Sequence, residues 1–379
     1  GAIALSLERL NRIESVDAQA ATMTVEAGCI LANACDAAEA EGLFLPLDLG
    51  ARGSATIGGT ISTNAGGNRV VRFGMMRDMV LGLEVVLADG TVVSSLNRLI
   101  KNNTGYDLKS LFIGSEGTLG VVVKAVLRLR PRPRSQDTAY VAVERFENLP
   151  RLLRLLESEL GGGLSAFEVM WPEYYELVTT PPALGRPPLP HGHPFYVLVE
   201  SLGADAARDA ERFEAALGKA LEDGIAVDAA VAKSQAERDR MWALRDDVRQ
   251  TGRYGPVVSF DVSLPIADME SYVDELRARM SERWPQSRLI VFGHLGDGNL
   301  HVIASIGDPK ARHDVEDLVY GALAARGGSI SAEHGIGLQK LDYLALCRNP
   351  QELALMRALK TTLDPRNVLN PGKILPLQA

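Results

Sequence analysis

Apolar positions along this chain change texture at about residue 131. Before that point they form short runs. Residues 23–28 alternate as a strand, 30–41 repeat at helical spacing in an Ala-rich segment, and 80–95 reads as two apolar runs joined at Ala88-Asp89-Gly90. Asp-Gly between two such runs is a strong hairpin signal, because both positions tolerate the backbone of a tight turn. A further apolar stretch over 121–129 stops at Pro131-Arg-Pro133, where proline withholds the N–H that strand pairing needs. That is the first domain boundary.

Beyond it strands and amphipathic helices alternate. Strands are expected at 141–143, 195–200, 260–264, 288–292 and 301–305, with helices at 149–160, 204–221, 234–250, 266–283, 311–326 and 351–363. Residues 181–190 form a Pro-rich loop and 364–376 an irregular tail. This alternation predicts an α+β sheet covered on one face by helices. No internal repeat, heptad array or low-complexity tract is visible.

Composition narrows the picture. The 379 residues suffice for two or three domains, and 46% hydrophobic with 23% charged is ordinary for a globular protein. A net charge of −8 without any basic block disfavours nucleic-acid binding. Cys29, Cys35 and Cys347 show no paired spacing and suit a reducing compartment. No apolar run is long enough to span a bilayer, so a cytoplasmic protein is expected. The chain opens without Met and directly on a strand-like alternation, so the natural protein is expected to begin earlier.

Two kinds of segment carry candidate chemistry. The first is glycine-rich: Leu45-Pro-Leu-Asp-Leu-Gly-Ala-Arg-Gly-Ser-Ala-Thr-Ile-Gly-Gly-Thr-Ile-Ser-Thr-Asn-Ala-Gly-Gly67, followed by Asn103 to Gly120. Exposed backbone N–H groups and short hydroxyls suit a pyrophosphate or a flat ring, although a series of surface turns would read the same way. Neither segment matches a Walker A loop or a strand-led GxGxxG.

The second kind is Phe292-Gly-His-Leu-Gly-Asp-Gly-Asn-Leu-His301, answered by Ser331-Ala-Glu-His-Gly-Ile-Gly337. A single histidine in a glycine-rich turn is more often structural than ligating. Here three of the chain's six histidines fall in two turns built alike. His294, His301 and Glu333 offer the two imidazoles and one carboxylate that a catalytic zinc takes when its fourth position stays open. The spacing is not that of a His-Glu-x-x-His helix.

With these pieces together the sequence resembles the FAD-linked oxidases of the vanillyl-alcohol-oxidase fold, and among them the D-2-hydroxy-acid dehydrogenases. The resemblance covers nearly the whole chain. It rests on Gly53-Ser-Ala-Thr-Ile-Gly-Gly59, Asn64-Ala-Gly-Gly67, Gly114-Ser-Glu-Gly-Thr-Leu-Gly120, the two histidine turns and Asn370-Pro-Gly-Lys373. It implies a PCMH-type FAD-binding domain over 1–131 that lacks its first pyrophosphate loop. It further implies a ferredoxin-like α+β cap domain over 132–350 with the metal site, and a segment over 351–379 that returns to the flavin domain.

By the same resemblance Pro46, Gly53, Thr56, Gly58, Gly59, Asn64, Ala65, Glu116, Gly117, Val122 and Asn370 would bind FAD. His294, His301 and Glu333 would hold a divalent metal, zinc before manganese or cobalt. Arg245 would pair with the substrate carboxylate, a role suited to its bidentate fork. From its own neighbours, Asp246, Asp247 and Arg249, Arg245 reads instead as a solvated residue on an amphipathic helix. In the implied reaction a metal chelated by the 2-hydroxyl and carboxylate lowers the hydroxyl pKa, His334 accepts the proton as base, and hydride leaves C2 for the flavin.

Two departures bear on the substrate. Family members that oxidise D-2-hydroxyglutarate carry a lysine where Ser259 stands and an asparagine where Ile303 stands. Without that lysine a distal carboxylate has no partner. The expected substrate is therefore D-lactate-like, with D-2-hydroxyglutarate the competitor. A zinc hydrolase, or a metal-binding remnant without flavin, would leave the glycine-rich segments of the first 120 residues unexplained. The expected electron acceptor is a quinone or an electron-transfer flavoprotein, and a homodimer is carried as an expectation that no residue pattern specifies.

Overall fold

A computed structural model describes residues 3–377. The chain divides into two compact units. The first comprises the chain up to Arg69, then Phe73–Arg132, then everything from Glu333 on; the second comprises Val70–Arg72 and Pro133–Ala332. The chain thus rejoins the first unit at Glu333, where the resemblance implied a returning segment over 351–379.

The first unit is built on an antiparallel sheet of five strands: β1 (Ile13–Asp17), β2 (Thr22–Glu26), β3 (Val80–Val86), β4 (Val92–Ser95) and β5 (Val121–Arg128), in the spatial order β1-β2-β5-β3-β4. The expected hairpin forms β3 and β4, closed where the Thr91 N–H donates to Asp89 Oδ1 at 2.9 Å. Helix α1 (Leu31–Ala40) buries Leu31, Ala34 and Ala38, the spacing that its Ala-rich sequence predicts. Helix α2 (Ile57–Thr63) is capped by Thr56, whose hydroxyl accepts from the Gly59 N–H at 3.2 Å. Gly58 lies against the end of β2, its N–H donating to Ala27 O at 2.6 Å, and a Cβ there would stand 2.7 Å from that of Ala27. Only glycine permits so close a docking.

The second unit is a seven-stranded antiparallel sheet. Its elements run β6 (Ser135–Val143), α3 (Asn148–Glu159), β7 (Leu164–Met170), α4 (Pro172–Thr179), β8 (Phe195–Gly203), α5 (Ala206–Glu222), β9 (Asp228–Val231), α6 (Gln235–Asp246), β10 (Val257–Ser263), α7 (Met269–Arg283), β11 (Arg288–Gly293), β12 (Asn299–Ser305) and α8 (Arg312–Ala324). The spatial order is β9-β6-β8-β7-β11-β12-β10. This is two ferredoxin-like halves joined edge to edge, β6-α3-β7-β8-α5-β9 and β10-α7-β11-β12-α8. The join is short: Phe292 pairs with Met170 and Gly293 with Val169.

No internal repeat is legible in the sequence, because only the order of elements is repeated and not the residues. The expectation of helices on one face is corrected in the same way. Tyr140, Tyr196, Leu198, Met170, Ile290, Phe292 and Ile303 on one face pack against Tyr174 and Tyr175 of α4 and Met241 and Leu244 of α6. Residues of the alternate parity, such as Val141, Val197, Val169, Val291 and Val302, are fully buried too. Strands covered on both faces lose their alternation. That is why β7, every residue of it buried, was not expected from the pattern. No described helix is long and apolar enough to cross a membrane.

Candidate active site

In the second unit the chemistry gathers where the two halves meet. His294 follows the last residue of β11. A single turn over Leu295–Asp297 closes at Gly298, whose φ of +86° is accessible to glycine, and β12 then brings His301 opposite both Phe292 and Asp261. The two imidazole rings lie 5.2 Å apart, nearly perpendicular.

Glu168, in the middle of β7, supplies the carboxylate that ties this turn to α6. Its Oε1 lies 2.7 Å from His294 Nδ1, and its Oε2 accepts from Arg245 Nε at 2.8 Å. Arg245 Nη2 stands 3.1 Å from His294 Nε2 and Nη1 is 3.6 Å from Asp246 Oδ1. The guanidinium lies over the Phe292 ring at 5.3 Å, and Phe292 stacks on Tyr174 at 4.1 Å. The Tyr174 hydroxyl donates to Arg245 O at 2.7 Å and so fixes the end of α6. Arg245 is only 6% exposed, so the solvated reading drawn from its neighbours does not hold. The helix ends at Asp246 rather than 250, and this last turn carries the arginine inward.

Burial opposes ionisation of Glu168, but the charge of Arg245 and the hydrogen bonds from His294 and Arg245 outweigh that cost and hold the carboxyl below the usual carboxylate range. Burial lowers the proton affinity of the Arg245 guanidinium, and Glu168 more than restores it. His301 is held well below the usual histidine range, first by burial and then by the charge of Arg245, so it stands neutral with a lone pair to offer. Its Nδ1 is 4.0 Å from Asp261 Oδ1, which accepts from Asn299 Nδ2 at 2.9 Å.

The Ala332 N–H donates to Asp261 O at 3.3 Å, and Glu333 is the next residue along the chain. Within the second unit two buried carboxylates, Glu168 and Asp261, stand against one buried guanidinium, and two imidazoles form a borderline donor set. Both features fit a divalent cation of the zinc type. Ser259 and Ile303 are paired across β10 and β12, two residues along from Asp261 and His301 on the same side of the sheet. Ile303 is buried in the apolar cluster, whereas Ser259 is exposed.

In the first unit an open cleft of about 1400 Å³ is lined by Thr56, Gly58, Gly59, Glu116, Gly117, Val122 and Asn370, all expected from sequence. Ile3, Leu5, Leu7, Gly28, Ser62, Val121 and the turn 367–371 also line it. Apolar side chains alternating with bare glycine backbone fit a flat dinucleotide cofactor. Pro46, Gly53, Asn64 and Ala65 are off its walls: Pro46 is buried, Gly53 lies in the turn before α2, and Asn64 ends that helix with a φ of +50°. The Glu116 carboxylate is spent within the protein, accepting from the N–H groups of Ile336 at 2.6 Å and Gly337 at 2.8 Å. It thereby anchors the turn that carries His334, which is itself exposed.

Sequence reasoning missed Glu168, Asp261 and Asn299. The available signal was a lone acid in an apolar run, Leu164-Ser-Ala-Phe-Glu-Val-Met170, where a buried charge demands a partner.

Known proteins resemble this chain over both units. Residues 132–374 match the family described as FAD linked oxidases, C-terminal domain, and residues 1–95 match an FAD binding domain. The mitochondrial D-2-hydroxyglutarate dehydrogenase of Bos taurus is 42% identical over all of this chain, which spans 69% of that relative. The D-2-hydroxyglutarate dehydrogenase of Xanthomonas citri pv. viticola is 40% identical over 99% of the chain and 80% of its own length. Among solved structures, p-cresol methylhydroxylase with substrate bound superposes with a TM-score of 0.72 at 15% identity, covering 97% of this chain and 79% of that one. At that identity the likeness speaks for the fold alone.

Proposed function

The chain belongs to the FAD-linked oxidases, and from that premise we propose that it is a dehydrogenase that oxidises a D-2-hydroxy acid to the 2-oxo acid. FAD, when bound, supplies the hydride acceptor. A divalent cation, when held by His294, His301 and Glu333, supplies Lewis acidity toward the 2-hydroxyl. The remaining work falls to the protein's own side chains. Arg245 takes the substrate carboxylate, for which its Nη groups keep N–H bonds beyond those given to His294 and Asp246. His334 accepts the hydroxyl proton. The apolar wall of Phe292, Tyr174 and Ile303 excludes water and strengthens every charge interaction within it.

The observation that carries this reading is the burial of Arg245. A permanently charged fork is kept 6% exposed beside two histidines; Glu168 offsets its desolvation through Nε, and the Nη end keeps N–H bonds for a substrate carboxylate.

The names of the relatives favour D-2-hydroxyglutarate. This chain's own positions favour a D-lactate-like acid, because the exposed Ser259 and the buried Ile303 offer no cation to a distal carboxylate. As to compartment, the name of the cattle relative favours a mitochondrial setting over the cytoplasmic one expected from composition, while the bacterial relative's name specifies none. A quinone or an electron-transfer flavoprotein would take up the electrons.

The test is the visible spectrum of the purified protein without oxygen, before and after D-lactate, D-malate and D-2-hydroxyglutarate. Bleaching of the flavin band by one of the three confirms the reaction, and the order of rates ranks the acids. A flavin band that none of them bleaches would overturn the proposal.

A further inference from the structure

Glu168 has no part in the reaction as proposed, yet it is the most deeply buried charge of the site, 1% exposed, and its two oxygens face two groups that do have a part. We propose that Glu168 is a positioning residue that fixes the proton of His294 on Nδ1, so that the Nε2 lone pair is presented to a cation, and at the same time grips Arg245 by Nε, so that the Nη end of the fork is aimed. This inference rests on the reading of His294 as a cation ligand.

A guanidinium carries donors only, so Arg245 Nη2, 3.1 Å from His294 Nε2, meets the lone pair of that nitrogen, which a bound cation would take over from it. The ring proton therefore sits on Nδ1, where Glu168 Oε1 at 2.7 Å accepts it. Arg245 Nε donates to the other oxygen at 2.8 Å. Serving both partners takes two acceptor atoms on one side chain, which among neutral and acidic residues only a carboxylate provides.

A glutamine in its place has one acceptor and one donor. Whichever way round it sits, an N–H meets either Arg245 Nε–H or the His294 ring, and the imidazole is the partner that can yield, by moving its proton to Nε2 and turning that nitrogen away from Arg245 Nη2. Nε2–H cannot ligate a cation. A carboxylate behind a ligating imidazole is worth about 10- to 100-fold in metal affinity.

The experiment uses the metal-stripped full chain and reads long-range proton–nitrogen correlations of the imidazoles, with His294 assigned by its disappearance in His294→Gln. Zinc chloride is then titrated calorimetrically into the wild type, Glu168→Gln and Glu168→Asp. The expected result is an Nδ1–H tautomer in the wild type, its loss in Glu168→Gln with zinc affinity down 10- to 100-fold, and partial recovery of both in Glu168→Asp. A wild-type His294 protonated on Nε2 would overturn the proposal whether or not any variant folds. So would a Glu168→Gln protein that keeps the tautomer and binds zinc within twofold of the wild type. A role confined to holding β7 against β11 would lower the melting temperature without moving the tautomer. If the wild type shows the Nδ1–H tautomer and yet binds no zinc, the cation reading fails and the positioning of the ring stands.

Discussion

The two units build their candidate sites from different materials. In the first, the cleft is walled by apolar side chains and by the backbone of Gly28, Gly58, Gly59 and Gly117. In the second, the site is a set of ionisable side chains, Glu168, Arg245, His294 and Asp261, all less than 7% exposed and held at bonding distance by strands from both halves of a duplicated sheet. A backbone-lined cleft tolerates change in most of its side chains and fails where a Cβ cannot fit. A buried charge cluster fails when any one member is removed, because the partner is left uncompensated. The first kind of site leaves a compositional trace in the sequence; the second leaves single letters scattered over more than a hundred positions, from Glu168 to His301.

That contrast can be tested in descending order of effect. The largest change is expected at His334: replacing this exposed residue by alanine should slow anaerobic flavin reduction by about 10²- to 10⁴-fold while the melting temperature and the flavin band stay put. An unaltered reduction rate would remove it from the reaction. Next comes Arg245→Met, which leaves Glu168 buried without its guanidinium and should cost about 3–5 kcal/mol in urea unfolding, together with a raised KM. A loss below 1 kcal/mol would mean that the charge cluster relaxes as readily as a surface pair.

The first unit should break at Gly58→Ala, where the added methyl collides with Ala27 and about 1–3 kcal/mol is expected, read as earlier loss of the flavin signal on heating. The smallest specificity effect belongs to Ser259→Lys. The site is exposed, so a new pair with a distal carboxylate is worth at most about 1 kcal/mol, or roughly a fivefold gain in kcat/KM for the dicarboxylic acid. Adding Ile303→Asn would confound the test, because Ile303 is 3% exposed and its loss opens the apolar cluster.

The last prediction concerns acid. Glu26 is held below the ordinary carboxylate range by the hydrogen bonds from Arg12. The sign follows: its contribution is present in full above the ordinary carboxylate pKa and fades as pH falls through the lowered value. Since Arg12 is largely exposed, the contribution is about 1 kcal/mol or less, and Glu26→Gln should flatten the acid limb of the stability curve by no more than that. A steeper limb in the variant would reverse the assignment.

Much of the first unit was legible because close backbone approach leaves glycine behind, and Thr56, Gly58, Gly59, Glu116 and Gly117 all stand on the cleft. The role of Glu116 was not, since its carboxylate ends on N–H groups 220 positions away. In the second unit the helices other than the short α4 were legible from their apolar period, whereas β7 was hidden by burial on both faces. Arg245 looks solvated beside Asp246 and Asp247 and is buried instead, because α6 stops at Asp246 and Tyr174 pins its last carbonyl.

The glycine-rich segments, the pair of histidine turns and the family were readable from the chain alone, because they depend on local backbone demands and on residues close together in sequence. That Glu168 joins Arg245 to His294, that Asn299 holds Asp261 near His301, and that the sheet of the second unit is a doubled ferredoxin-like layer came from the fold. Those features depend on which strand edges meet, and a buried charge cannot be matched to its partner until the fold has brought the two within hydrogen-bond reach.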